Sequence, residues 1–339
     1  MNWTEEKLNT LLTTPSSKLI EDIRLLSGDI MVLGAAGKMG PSLCVLAKKA
    51  MEAAGLCHKV YGVSRGSDPI AVNFMEENGV TVIKTDLLNP QSLSVLPNVE
   101  NIIYMAGKKF GTFGNEWQTW AMNATLPAFV AERFKGARIV VFSSGNIYPI
   151  VPLASGGCDE NTRPLPNGEY AMSCLARERA FEYAANTYQT KVFLYRLNFA
   201  VDLRYGVLYD LAEKILNHTP ISLANSCFNF IWQGSANEMA LRALLHATSP
   251  ATVMNITGPE TVSVKKAALT LGSYLGTDPI FEDDCGNDAY LNDASLAAEV
   301  FGYPAVSAKT LLRWQAEWIL EGGRTLGKPT HFEERKGSY

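Results

Sequence analysis

One eight-residue stretch constrains this chain more than any other. Leu33-Gly34-Ala35-Ala36-Gly37-Lys38-Met39-Gly40 joins a compact apolar run, Asp29 to Leu33, to a helical run over residues 38–54. Glycines allow close backbone approach and leave N–H donors free, and the helix N-terminus adds the positive end of its dipole. A plain strand-to-helix turn uses the same residue types. What turns the reading towards a dinucleotide pyrophosphate is the position of the loop inside a strand–helix–strand pattern.

That pattern continues along the chain. Lys59 to Val63, Val80 to Thr85, Asn101 to Met105, Ala137 to Phe142 and Lys191 to Arg196 read as strands, with helices fitting between most of them, notably 115–134 and 168–188. Continuously apolar strands alternating with helices predict an α/β fold with a parallel sheet covered on both faces. Right-handed crossovers make it doubly wound. After Asn198 the rhythm changes: 199–227 is mixed, 228–247 reads as a strand then a helix, 253–257 as a short strand, and 263–320 as mainly helical. The expected organisation is a helical extension over 1–27, broken near Pro15, and a dinucleotide-binding Rossmann domain over 28–198 plus about 228–257. A smaller interleaved C-terminal substrate domain takes 199–227 and 258–325, and a polar surface tail takes 326–339.

Composition removes several function classes. With 47% apolar and 19% charged residues among 339, a large core is available. A net charge of −4 with no basic block lacks the footprint of a nucleic-acid binder. No apolar run is long enough to predict a membrane span, and Met1-Asn2-Trp3-Thr4-Glu5-Glu6 does not read as a signal peptide. Six scattered cysteines, none at CxxC spacing, signal neither a zinc site nor a disulfide framework. The expected setting is a reducing cytoplasm, with no metal.

Further marks fit a nicotinamide dinucleotide. The second strand ends in Ser64-Arg65 rather than in the acid that binds a ribose 2′-OH. Arg65 suits a 2′-phosphate, which favours NADP, while a solvated loop charge is the plainer alternative. Asp86-Leu87 is placed to meet the adenine edge, and the small Ala106-Gly107 to admit the cofactor.

With these pieces placed, residues 29–320 resemble the NAD-dependent epimerase/dehydratase family, the extended short-chain dehydrogenases/reductases. The family's GxxGxxG loop matches Gly34, Gly37 and Gly40. Its Ser-Ser-x-x-[Val/Ile]-Tyr segment matches Ser143 to Tyr148, its acid-then-proline run matches Glu160 and Pro164, and its catalytic tyrosine matches Tyr170. Arg196-Leu197-Asn198 approximates its Arg-Pro-x-Asn segment. The resemblance implies Tyr170 as acid/base on a substrate hydroxyl, Ser144 hydrogen-bonding the same oxygen, and hydride exchange with the nicotinamide. It places Gly34, Ala36, Gly37, Lys38, Met39, Gly40, Ser64, Arg65, Asp86, Leu87, Ala106, Gly107, Asn123 and Asn198 on the cofactor. For Asn123, a local helix-bending role is the alternative.

The family lysine, four residues after the tyrosine, is replaced by Cys174. Without a cation about 4 Å away, worth roughly 4 kcal/mol at an effective dielectric of ~20, Tyr170 is expected nearer a free phenol. Three readings stay open: a substitute cation from Arg177, Lys108 or Lys109; the charge of the oxidised nicotinamide; or dinucleotide binding without turnover. Cys174 itself reads as a small semi-apolar helix residue rather than a nucleophile. Gly145 and Asn146 stand where family dehydratases carry acids, so dehydration is disfavoured against oxidoreduction or epimerisation. The stretch 226–235 lacks the Arg and Asp that nucleotide-sugar enzymes show there, leaving Arg204 as a substitute grip. A plain sugar or sugar acid is then as acceptable a substrate as a nucleotide sugar. The rival reading is a dinucleotide-binding sensor or scaffold. Family analogy further implies a homodimer through helices 115–134 and 168–188.

Overall fold

The computed structural model describes residues 2–328 and 330–338. Its centre is a seven-stranded, all-parallel sheet of β1 (Ile30–Leu33), β2 (Val60–Ser64), β3 (Thr81–Lys84), β4 (Asn101–Tyr104), β5 (Arg138–Ser144), β6 (Lys191–Leu197) and β7 (Thr252–Ile256), in the order β7-β6-β5-β4-β1-β2-β3. All four residues of both β1 and β4 are buried, as a sheet covered on two faces requires. The chain turns outward in both directions from β1 and β4, so the crevice beyond their carboxyl ends is the topological switch point. The predicted doubly wound Rossmann sheet is therefore present, with strand ends moved by a residue or two.

Helices cover both faces. Leu19 and Ile23 of α2 (Ser17–Ile23), Leu43 and Leu46 of α3 (Gly40–Ala53) and Met75 of α4 (Pro69–Glu77) pack on one side. Val130 of α6 (Leu126–Arg133) and Phe181 and Ala185 of α7 (Gly168–Tyr188) pack on the other. A second apolar core gathers Leu208 and Leu211 of α8 (Val207–Leu216), Leu271 of α10 (Val264–Leu275), and Leu311 and Trp318 of α11 (Ala308–Leu320). Leu8 and Leu12 of α1 (Glu5–Thr13), capped by Thr4, enter that same core. Between the two cores stands α9 (Gln233–Arg242), whose Arg242 ties α2 at Asp22 to the Phe301 carbonyl.

Two local expectations change. The helix expected over 115–134 is three pieces: α5 (Glu116–Trp120), a π-helical turn over Ala121–Thr125, and α6. Pro127 in the first turn of α6 removes one backbone donor, and the widened turn puts Asn123 inward, where its side chain is fully buried. The tail, expected to run over the surface, is anchored. Phe332 is buried in the second core, Thr330 donates from its N and Oγ1 to Asp210, and Arg335 pairs with Asp288. An apolar anchor flanked by charges does not show in a composition that reads as polar.

Candidate active site

The glycine loop leaves β1 through Gly34, whose φ of +91° is open to glycine at little strain and whose added Cβ would lie 2.6 Å from the Ala106 nitrogen. The loop and the end of β4 are thus in close contact across the switch point. Beyond them opens a cleft of about 600 Å³ lined by Gly34, Ala36, Gly37, Ser64, Arg65, Asp86, Leu87, Ala106 and Gly107. The expected adenosine-side residues therefore share one cavity. A Cβ on Gly37 would meet only the Gly34 carbonyl, at 3.4 Å, so the loop face is clear for a bound group. Gly40 begins α3, and Ser64 is buried with its Oγ accepting from the Gly66 N–H. Arg65 is exposed at the cleft edge. These features fit a dinucleotide.

On the other side of the loop lies a smaller cavity of about 160 Å³, lined among others by Lys38, Met39, Lys109, Ser144, Asn146, Tyr170, Asn198, Tyr205 and Thr330. Ser144, at the end of β5, donates to Asn146 Oδ1 at 3.0 Å and accepts from the Asn146 N–H at 3.1 Å. Tyr170, in the first turn of α7, hydrogen-bonds both Ser144 and Cys174. The pairing of Ser144 with Tyr170 is thus made in three dimensions. Burial holds the Tyr170 hydroxyl well above the ordinary phenol range, and neighbouring Cys174 pushes the same way, while Arg177 and Ser144 oppose them. This goes beyond the expected return towards a free phenol. Burial likewise raises Cys174, so its thiol stays protonated and inert as a nucleophile.

The three candidate cations have different placements. Lys108 points away, its Nζ donating to Gln118 Oε1 at 2.8 Å. Arg177 is buried beneath the site, donating to the Phe142 carbonyl at 2.6 Å and to Asn123 Oδ1 at 2.8 Å. Its Nη2 would sit 2.6 Å from a Cβ on Gly107, so only glycine lets β4's loop pass over it. Lys109 is over the Tyr170 ring, 5.5 Å from its centroid, and burial lowers its pKa to about 8.

Asn123 is used within the protein. Its Oδ1 accepts from the Lys108 N–H and from Arg177, and its Nδ2 donates to the Lys108 carbonyl and to Ser173 Oγ. Its side chain therefore fixes the 106–109 loop rather than presenting donors to the cleft. Asn198 differs: it lines the small cavity, and its buried Nδ2 has no partner among the described residues. Behind the site, Glu178 of α7 and Arg196 of β6 form a buried bidentate pair at 3.0 and 2.8 Å. Ser143 Oγ donates to the same carboxylate at 2.6 Å, and Arg196 reaches the Tyr148 hydroxyl, which donates to Asn255. Arg204 is held by Asp202, Glu5 and Asn9, so its guanidinium already serves the α1 contact.

Several lining groups escaped sequence reasoning. Tyr205, Gln233 and Thr330 reach the small cavity from distant segments with no motif of their own. Asn292 Oδ1 fills the space that a side chain at 145 would take, at 2.6 Å from its Cβ.

Known proteins share the sequence pattern and the fold of this chain. The family model described as "NAD dependent epimerase/dehydratase family" matches residues 30–201. A UDP-glucuronic acid 4-epimerase from Bacillus cereus, solved with NAD, superposes with a TM-score of 0.70 at 18% identity, over 86% of this chain and 99% of that one. A UDP-glucose 4-epimerase from Thermotoga maritima, solved with UDP-glucose, gives 0.70 at 17% identity, over 87% and 99%. MoeE5, solved with UDP-glucose and NAD, gives 0.68 at 21%, over 87% and 99%. No curated protein matches the sequence.

Proposed function

Since the chain belongs to the NAD-dependent epimerase/dehydratase family, we propose that it is an NAD(P)-dependent oxidoreductase or epimerase acting on a hydroxyl of a carbohydrate-like substrate. The observation that carries this reading is the convergence of Ser144 and Tyr170 in one small cavity beside the glycine loop. Gly34, Ala36, Gly37, Ser64, Arg65, Asp86, Leu87, Ala106 and Gly107 would hold the dinucleotide. When bound, that cofactor supplies the hydride donor and acceptor.

This chain's residues handle the proton. Ser144 orients the reacting hydroxyl, and Tyr170 Oη takes its proton and returns it. Lys109, over the phenol face, and Arg177, beneath it, supply positive potential where the family lysine is missing. Cys174, neutral, hydrogen-bonds the phenol without stabilising its anion. Gly145 and Asn146 bring no carboxyl group to remove water, which favours oxidoreduction or epimerisation. Arg65, exposed at the cleft edge, favours a 2′-phosphate and hence NADP. The exposed Phe113, Trp117, Trp120 and Met172 around α5 and α7 suit the face of a homodimer.

A second reading rests on the raised Tyr170 phenol: a dinucleotide-binding sensor without turnover. One experiment separates the two. Purified protein with NAD or NADP is offered sugars, sugar acids and nucleotide sugars while nicotinamide absorbance and epimer formation are followed. Turnover that falls at least about 100-fold in Tyr170→Phe, with cofactor affinity unchanged, supports the enzyme. Cofactor binding without turnover on any substrate supports the sensor. Activity retained in Tyr170→Phe overturns the catalytic assignment.

A further inference from the structure

The last stretch of the chain borders both cavities, Lys328 on the larger cleft and Thr330 on the smaller. It is fastened on either side of them. Towards α1, the Leu326 N–H donates to the Arg204 carbonyl at 3.0 Å, and Arg324 pairs with Glu5. Past the cleft, Thr330 is bonded to Asp210, and the His331 ring lies 5.6 Å from that of Phe110 in the loop after β4. Farther on, the Arg335 carbonyl accepts from Asn167 Nδ2, and the Gly337 backbone packs against Gly168 at the start of α7. Lys328 therefore sits between two anchors, at Leu326 and Thr330, with its side chain in the wall of the larger cleft.

A third cavity, of about 370 Å³, adjoins that cleft at the glycine loop and reaches Glu5 and Asn9 of α1. Ala36, Gly37, Asp68, Ile70 and Lys328 line both, whereas Ser64 and Arg65, at the end of β2, line only the cleft. Lys328 thus stands on the ridge beside the loop glycines. Its charge is felt at the next loop residue, Lys38, whose pKa burial, Lys109 and Lys328 lower to about 7.

The loop's own lysine does not serve the cleft. The Lys38 ammonium is seated 3.2 Å from the centroid of the Tyr205 ring and 5.2 Å from that of Phe110, and it lines the small cavity instead. A dinucleotide pyrophosphate is an anion, and the N–H groups of a loop and a helix start offer it only partial charges. The two acids of the cleft wall are turned to their own backbone. Asp68 caps α4 by accepting from the Ala71 N–H at 3.1 Å, and Asp86 accepts from the Leu88 N–H at 3.0 Å. The full positive charges of that wall are Arg65, at the end of β2, and Lys328, at the loop.

We propose that Lys328 is a phosphate-binding residue of the cofactor site, its ammonium taking the pyrophosphate of the dinucleotide against the glycine loop. This rests on the dinucleotide-binding reading and adds to it a contact from the far end of the chain. Because the backbone on both sides of Lys328 is anchored, the ammonium is confined near the cleft before the ligand arrives, and less ordering is left for binding to supply.

The test is calorimetric titration of the full chain with NAD, NADP and ADP-ribose, which share the pyrophosphate, and of the NAD-saturated protein with UDP-glucose. Lys328→Met should weaken the first three alike by about 10-fold, the low end for a hydrogen bond to a charged group because the lysine is exposed. Lys328→Arg should keep most of the affinity, and added salt should narrow the gap between the parent and Lys328→Met. The urea midpoint of the ligand-free protein should not move. Equal affinities in the parent and Lys328→Met overturn the assignment. So does a loss confined to NADP, which puts the ammonium on a 2′-phosphate, or one confined to UDP-glucose, which puts it on the substrate. A loss matched by a lower urea midpoint overturns it as well, since the lysine then serves the fold. A parent that binds none of the three removes the dinucleotide reading together with this one, whereas a parent that binds them regardless of Lys328 removes this one alone. Lys328-dependent binding in a protein without turnover supports the assignment while removing the catalytic reading.

Discussion

Removing one partner of the buried Glu178–Arg196 pair should be far more damaging than removing both. Glu178 is fully buried and Arg196 nearly so, and the carboxylate accepts two bonds from Arg196 and one from Ser143. Arg196→Met leaves a carboxylate with a single hydroxyl donor in the core, and Glu178→Met leaves a guanidinium with only Tyr148. Each should cost about 3–5 kcal/mol, the range for breaking a buried pair from one side. In the double variant no charge is left behind. The remaining loss is the hydrogen bonds of Ser143 and Tyr148, about 1 kcal/mol each, so the double variant should lie within about 2 kcal/mol of the parent. The coupling energy is then at least about 4 kcal/mol. Urea unfolding of the four proteins, with midpoints converted through the measured slopes, closes the cycle. If the double variant loses the sum of the two single losses, the pair is not a unit and the reasoning fails. Because Ser143 precedes Ser144 on β5 and Glu178 lies on the helix of Tyr170, the single variants should also lose turnover beyond their loss of folded protein.

Three further outcomes are expected. A unit charge 5.5 Å from the Tyr170 ring at an effective dielectric of ~20 is worth about 3 kcal/mol. Lys109 carries its proton below about pH 8, so its help to the phenolate is present below that pH and fades above it. Lys109→Met should therefore lower kcat/KM by up to about 100-fold at pH 7 and converge on the parent at higher pH; coincident pH profiles would remove Lys109 from the role. Gly34→Ala places a side chain at φ +91° and 2.6 Å from the Ala106 nitrogen, so dinucleotide affinity should fall at least about 10-fold, read by fluorescence titration. Arg65→Glu should weaken NADP by about 10-fold or more while changing NAD little; an equal effect on both would place Arg65 outside the 2′-phosphate site.

The sheet was legible because each strand is a short apolar run bounded by turn residues, and burial on both faces enforces that pattern. Gly34, Ser144 and Tyr170 were legible because the loop, the strand end and the helix start that carry them are fixed by local backbone requirements. Lys38 was legible only as a loop residue. Which side of the loop its ammonium takes is decided by Tyr205, 167 positions along the chain, and by Phe110. Comparably long separations in sequence hid Asn292 behind Gly145 and Thr330 in the cavity wall. The π turn at 121–125 was invisible because Pro127 alone permits several outcomes, and the four bonds of Asn123 select one. Phe332 was missed because one apolar residue among charges shows no period.

The second core has a consequence for how the molecule is made. It joins Trp3, Leu8 and Leu12 to Phe332, and Trp3 is hydrogen-bonded to Glu317 and Glu321. The strands that end at the larger cleft lie within residues 30–104, whereas Lys328, two residues before Thr330, also lines that cleft. On a ribosome that delivers about 5–20 residues per second, those strands emerge some ten seconds or more before Lys328 and Thr330 can reach the two cavities. A growing chain therefore has the sheet edge of the larger cleft in hand well before the tail that finishes the walls of both cavities.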